Sequence, residues 1–401
     1  MWNRFRIFFS SIYNVFQSPF FGFIEGHSYL DKNHLIRIKN LIGREDEQVV
    51  REFEKSFAEL IGEGQAISYA AARMGFYDLM CLRGIGKGHE VILLGATCSV
   101  MSTSVIRTGA TPIYSDIDPE TLGSSWKSIK SCISKKTRMI VAQHSFGIPC
   151  DIDPIVKIAQ DNNIFLLEDC AITLGSKVND RIVGNFGNAA LFSFDHSKPI
   201  NTMIGGIIYT KDKELAALIS CSRDLYKELE LKKQYSIWRR LLIEKWFCNS
   251  KHFGKMKLVD VFYSAAKKIF RITEPFLLDE FKSELTNKGI SYPAKMPPFL
   301  AQLGVYEINR WNSNINAKKN ILNSFLNLVD NTNVKKFLPP AYKNNSLNII
   351  PFRFVWSEPN GKDRRDNLRG IISVDWIWFL KPIISTNLPL EDLGYINGTC
   401  P

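Results

Sequence analysis

This sequence is short of long apolar runs, of paired cysteines, of internal repeats and of acidic residues, and each shortage removes a class of protein. The N-terminus, residues 1–25, is an aromatic and basic stretch. Arg4, Arg6, Asn14, Gln17 and Pro19 break that stretch well below the roughly 18 uninterrupted apolar residues of a membrane-spanning helix. It has no small-residue cleavage site either, so it does not read as a secretory signal. An arm lying at an interface or against a partner subunit stays open. The eight cysteines are scattered singly, without a Cys-x-x-Cys pair or zinc-type spacing. No metal site is expected, and reduced thiols in a cytoplasmic protein fit best.

What is present is the composition of an ordinary folded protein. The chain has 401 residues, 45% hydrophobic and 23% charged, which is enough for two or three cores and gives no sign of disorder. Acids are outnumbered, 40 Asp and Glu against 51 Lys and Arg, for a net charge of +11. Between residues 231 and 271 there are eleven Lys and Arg against only Glu244 and Asp260, so that one segment accounts for nine of those charges. It interleaves them with Trp238, Trp246, Phe247, Phe253, Phe262, Tyr263 and Phe270. Such a mixture suits an anionic membrane surface, which would make the protein peripheral at the inner face of the membrane. A helical insertion packed on its own domain or on a dimer mate fits equally. Nucleic acid is not expected, because no recognition motif accompanies the charge.

From residue 65 to 210 short apolar, β-rich runs alternate with helical stretches, the mark of a parallel sheet covered by helices. Strands are expected at 65–69, 90–94, 112–116, 138–143, 164–168, 189–193 and 205–209. Helices are expected at 72–83, 99–108, 124–133 and 153–162, and again at 298–327. The fold class is therefore α/β: a mostly parallel seven-stranded sheet with helices on both faces, plus a smaller α+β C-terminal domain. The expected division is an N-terminal arm and helices (1–60), a large ligand-binding domain (61–215), a helical connecting region with the basic aromatic insertion (216–315) and the small C-terminal domain (316–401).

In such sheets ligands collect where strands end. Three strand ends carry chemistry. The run 164–169 closes in Glu168 and Asp169, and a carboxylate there can hold a protonated ring nitrogen or a metal. The run 189–193 closes in Ser193, and five residues on stands Lys198. The turn Ser68-Tyr-Ala-Ala-Ala72 opens a helix whose free amides can hold an anion. A phosphate-accepting turn, an acid, a hydroxyl and an amine, in that order, are the parts that pyridoxal 5′-phosphate requires.

The surrounding pieces sharpen this. They are Gly84-Ile-Gly-Lys-Gly-His-Glu-Val-Ile, Gly109-Ala-Thr-Pro-Ile-Tyr-Ser-Asp-Ile-Asp-Pro, His144-Ser-Phe-Gly-Ile-Pro-Cys-Asp-Ile-Asp, Glu168-Asp-Cys-Ala, Val183-Gly-Asn-Phe-Gly and Phe192-Ser-Phe-Asp-His-Ser-Lys198. In that order and spacing the segment 68–215 resembles the DegT/StrS group of nucleotide-sugar aminotransferases, which have the type I fold of pyridoxal-phosphate enzymes. Phe299-Leu-Ala-Gln-Leu-Gly304 looks like a later helix of the same group.

The resemblance implies that Lys198 attaches the cofactor as an imine, Asp169 partners its pyridinium nitrogen and Ser193 binds its phosphate. It implies a homodimer that moves an amino group, usually from glutamate, onto a nucleotide-linked keto sugar in polysaccharide or glycolipid synthesis. His196 is a candidate substrate contact, and Arg73 either meets the phosphate or lies on a solvated helix face. The chain also departs from the pattern. The phosphate turn has Ala70, Ala71 and Ala72 where hydroxyls are common. Ile172 stands where Gln or His usually follows the acid. Cys98 takes the place of a stacking aromatic ring. Pro293 stands where an asparagine of the partner often reaches the phosphate, and the sequence stops before a further helical segment, so that the C-terminal domain reads as truncated. These departures imply an alternative, a catalytically degenerate relative that binds a sugar nucleotide or a partner protein.

Overall fold

The computed structural model describes residues 26–256 and 292–359 without a break, together with 18–20, 24, 258–260, 262–263, 269, 275–276, 361, 383 and 389–395. Most of the aromatic N-terminal arm and much of the expected small C-terminal domain lie outside the described residues. Two compact units emerge: a smaller one of Met1–Arg44, Glu230–Leu278 and Glu358–Trp378, and a larger one of Glu45–Leu229, Asp279–Ser357 and Phe379–Pro401.

In chain order the elements are α1 (Lys32–Asn40), α2 (Glu47–Ile61), β1 (Gln65–Tyr69), α3 (Ala72–Leu82), β2 (Glu90–Leu94), α4 (Ser99–Arg107), β3 (Thr111–Ser115), α5 (Trp126–Cys132) and β4 (Thr137–Gln143). There follow α6 (Ile152–Asp161), β5 (Phe165–Asp169), β6 (Lys177–Val178), β7 (Arg181–Ile182), β8 (Ala189–Ser193), β9 (Gly206–Thr210), α7 (Lys213–Asp224), α8 (Leu231–Phe247), α9 (Pro298–Val329) and β10 (Leu347–Asn348).

The larger unit is built on a seven-stranded sheet in the order β1-β9-β8-β5-β4-β2-β3. Only β9 runs against its neighbours; the remaining strands are parallel to one another. Both faces are covered, so the central strands are apolar throughout: Val91–Leu94, Met139–Ala142 and Ala189–Phe192 are all buried. On one face Phe53 and Phe57 of α2 meet Phe192 and Phe194 edge-on, with centroids 5.0–5.4 Å apart. α9 approaches α2 closely, since a Cβ at Gly304 would lie 2.3 Å from the Phe53 ring. Ile129, Ile152 and Ile155, from α5 and α6, join Ile92, Ile140 and Leu166 of the strands in a second layer of core.

Three expected strands coincide with those found. The other four begin or end one residue away, because ladder pairing continues through flanking polar residues. Thr111 pairs with Glu90, and Asp169 pairs with Gln143, although neither side chain is apolar. A separate three-stranded sheet, β10-β6-β7, ties residues 347–348 to the hairpin after β5.

In the smaller unit α1 is opened by a reciprocal cap. The Asp31 carboxylate accepts the His34 amide, and the His34 ring accepts the Asp31 amide. α8 is anchored by buried Glu244, which His27 meets at 3.0 Å and Arg240 at 3.2 Å. Burial works against that charge, but the His27 hydrogen bond and the Arg240 guanidinium outweigh it and hold the carboxyl below its ordinary range.

Candidate active site

The register of the sheet assembles one rim. Tyr69, the last residue of β1, and Ser193, the last of β8, both pair with Gly206 at the start of the reversed strand β9. Asp169 ends β5 two strands along, opposite Gln143 of β4. The turn after Tyr69 folds directly over Gly206, where an added Cβ would lie 2.2 Å from both the nitrogen and the Cα of Ala72. The first amides of α3 and the Ser193 hydroxyl are therefore neighbours across a residue that cannot carry a side chain.

Ala71 caps α3 and offers no side-chain acceptor to its amides, so nothing from the cap competes with an anion there. The Ala70 amide is used otherwise, donating to the Ala294 carbonyl at 3.0 Å. This brings the segment containing Pro293 against the same turn, within one chain.

Asp169 is almost wholly buried. Among the described residues its carboxylate accepts one hydrogen bond, from the Ala171 amide at 2.9 Å. Burial pushes the carboxyl up from its ordinary value, and the Ala171 amide and the Lys198 ammonium oppose that rise without cancelling it. An acid buried with one donor and a nearby cation is fitted to receive a further N–H. Its raised pKa means that the folded chain binds the proton more tightly than the unfolded one. The contribution of Asp169 to stability is thus greatest near the ordinary value of 3.8 or below and declines as pH rises above it. Asp169→Asn, in cofactor-free protein, is expected to melt higher than the parent at neutral pH, with the gain shrinking toward pH 4. Thermal melts across that range check this, and a gain independent of pH would show that ionisation of Asp169 is not its source.

Lys198 is half-buried, and its amide closes a turn onto the Asp195 carbonyl at 2.9 Å. Asp195 is a site residue that the sequence reading passed over. Burial raises its pKa, but the hydrogen bond and charge of His196 and the charges of Arg73 and Lys198 outweigh this and leave it lowered. Arg73, undecided from sequence, thus lies close enough for its charge to act on Asp195. His196 is exposed and bonds Asp195 Oδ1 through Nδ1 at 2.8 Å. Asn201 holds the turn together, donating to the His196 carbonyl at 3.0 Å while its own amide meets Glu307 of α9.

The two acids ending β5 have separate fates because successive side chains of a strand point to opposite faces. Glu168 accepts the amides of Gly184, Phe186 and Gly187 at 2.6–2.7 Å and meets His144 Nε2 at 3.1 Å. That accounts for the Val183-Gly-Asn-Phe-Gly run, whose amides form a cup for one carboxylate. His144 Nδ1 accepts the Cys150 amide at 3.0 Å, so Nε2 carries the proton given to Glu168. His144, Glu168 and Cys170 bring ligand atoms within 4.8 Å of one another, but Glu168 is already engaged by four donors.

Of the remaining candidates, Cys98 is half-buried at the cap of α4 and makes no cap hydrogen bond. Ile172 is buried in the turn after Asp169. The arrangement offers an amine, a buried carboxylate and an amide-and-hydroxyl cradle at one rim, and these fit a phosphorylated pyridine with an aldehyde.

Residues 41–238 match the DegT/DnrJ/EryC1/StrS aminotransferase family. The chain is 35% identical over 167 residues to the spore coat polysaccharide biosynthesis protein SpsC of Bacillus subtilis (strain 168), covering 42% of this chain and 43% of that protein. It is 37% identical over 166 residues to the GDP-perosamine synthase of Escherichia coli O157:H7, covering 41% and 46%. The matched segment thus spans less than half the length of these curated relatives. Among solved structures, a DegT DnrJ EryC1 StrS aminotransferase from Brucella abortus superposes with a TM-score of 0.62 at 19% identity, covering 89% of this chain and 83% of that one. The fold is that of these aminotransferases.

Proposed function

We propose that this protein, whose residues 41–238 match the DegT/DnrJ/EryC1/StrS aminotransferase family, binds pyridoxal 5′-phosphate and aminates a nucleotide-linked keto sugar. The amino group comes from glutamate, and the product enters polysaccharide or glycolipid synthesis. A spore coat polysaccharide biosynthesis protein and a GDP-perosamine synthase among the relatives support the choice of substrate class.

The observation that carries the reading is the row Tyr69–Gly206–Ser193, with Ala72 folded over its centre. When bound, the cofactor supplies an aromatic ring that accepts electrons from a carbon bearing an amine. The chain supplies everything else. Lys198 provides the amine for covalent attachment and, once released, carries a proton to and from the substrate carbon. Asp169, ionised beside a cation, keeps the ring nitrogen protonated. The Ser193 hydroxyl and the first amides of α3 receive the phosphate. Ile172 and Cys98 line the cradle with apolar and thiol surface. His196, exposed and steered by Asp195, faces the substrate. The same reading makes the protein a cytoplasmic homodimer; the seven described cysteines are all free thiols, which suits a reducing compartment.

The alanine turn favours a second reading, a degenerate member that binds the sugar nucleotide or a partner without turnover. One experiment separates them. The purified chain is mixed with pyridoxal 5′-phosphate, scanned for visible colour, reduced with borohydride and mapped by peptide mass, then assayed with glutamate and nucleotide-linked keto sugars. Colour, a label on Lys198 and an aminated product are expected. A protein that stays colourless while still binding the nucleotide sugar overturns the first reading in favour of the second.

A further inference from the structure

The net charge of this protein is confined to one of its two units. The smaller unit contains twenty-one Lys and Arg against ten Asp and Glu, whereas the larger contains thirty of each, so the whole +11 belongs to the smaller unit. Within it, α8 buries Ile237, Trp238, Leu241 and Glu244. Leu231, Tyr235, Arg239, Leu242 and Trp246 recur at helical spacing on the other side, flanked by Lys232 and Ile243. Trp246 keeps 66% of its surface in solvent, and Tyr235 and Leu231 are exposed as well. No acid shares that side, because Glu244 is turned inward to His27 and Arg240. Exposed Lys251 and Lys255 follow, then Leu258 and Phe262, the latter 73% exposed. Asp260, the one acid in that stretch, is paired with Arg240 at 2.5 Å.

We propose that this outward side of α8, with the residues just after it, docks on an anionic lipid bilayer. Indole and phenol rings prefer the headgroup level, where an apolar body and a polar edge are both accommodated, and flanking Lys and Arg reach the lipid phosphates. The mode is interfacial, since no helix among the described residues is long and apolar enough to cross a membrane.

The test is flotation of the full chain with phosphatidylcholine vesicles, either pure or containing about one-third phosphatidylglycerol. Binding to the anionic vesicles alone is expected, with release at high salt. Lys232→Ala with Arg239→Ala is expected to weaken binding roughly thirtyfold, about fivefold for each basic residue, and Tyr235→Ser with Trp246→Ser to weaken it further. Lys135→Glu with Lys136→Glu, exposed on the larger unit, alters the net charge more and is expected to leave binding unchanged. Equal binding to both vesicles, insensitivity to the α8 variants, or an equal loss in the Lys135/Lys136 variant overturns the proposal. So does self-association through this face that vesicles fail to displace, or duplex DNA binding that the α8 variants weaken as much.

Discussion

Replacing Lys198 by alanine is expected to leave a folded, colourless protein that no longer retains pyridoxal phosphate after borohydride treatment. Amination should fall by about four orders of magnitude or more, the usual cost of deleting a group that acts both as nucleophile and as proton carrier. Stability should change little, because the side chain is half-buried and lies in a turn held by backbone and by Asn201. What changes is the charge balance: Asp169 and Asp195 both lose a cation that now favours their ionised forms. Lys198→Arg separates the two roles. It keeps the charge without a nucleophilic amine, so Asp169 stays balanced while colour and turnover are lost. Amination undiminished in the alanine variant would remove the basis of the proposed chemistry.

The second large effect is predicted at a residue with no functional group. Gly206→Ala places a methyl 2.2 Å from the Ala72 backbone, a contact that flexible side chains cannot relieve. Either β9 or the start of α3 must move. A loss of about 3 kcal/mol is expected for such overpacking, visible as a melting temperature lower by roughly 6–12 °C. Cofactor affinity should fall by about tenfold or more, as for the loss of one hydrogen bond to a charged group, because the amides and the Ser193 hydroxyl no longer converge. Differential scanning calorimetry and a spectrophotometric titration with pyridoxal phosphate measure the two effects separately. If both stay at parental values, the closeness of Ala72 to β9 is not what shapes the cradle.

Much of this was legible in advance. Strands buried on both faces must be apolar along their length, so β2, β4, β5 and β8 were visible as short runs between turns, and Asp169, Ser193 and Lys198 could be read at strand ends. Asp195 was missed because an acid in a loop ordinarily reads as solvated surface. Its position three residues before Lys198 and beside His196 was the available signal. Glu168 and Asp169 were told apart only by the family resemblance, since adjacent acids on one strand look alike until the loops facing each side are known.

The sequence by itself determined which segments become strands and helices and which reactive groups sit at their ends, because apolar periodicity and turn chemistry are local properties of the chain. Only the tertiary structure decided that β9 enters the sheet reversed, that Tyr69 and Ser193 share Gly206 as their partner, and that Glu168 serves a backbone cup while Asp169 stays available. Tyr69 and Gly206 lie more than a hundred positions apart, and even the nearer partners, Ser193 with Gly206 and Glu168 with the amides of Gly184, Phe186 and Gly187, are brought together by how the whole sheet and its covering helices pack, which no local pattern encodes.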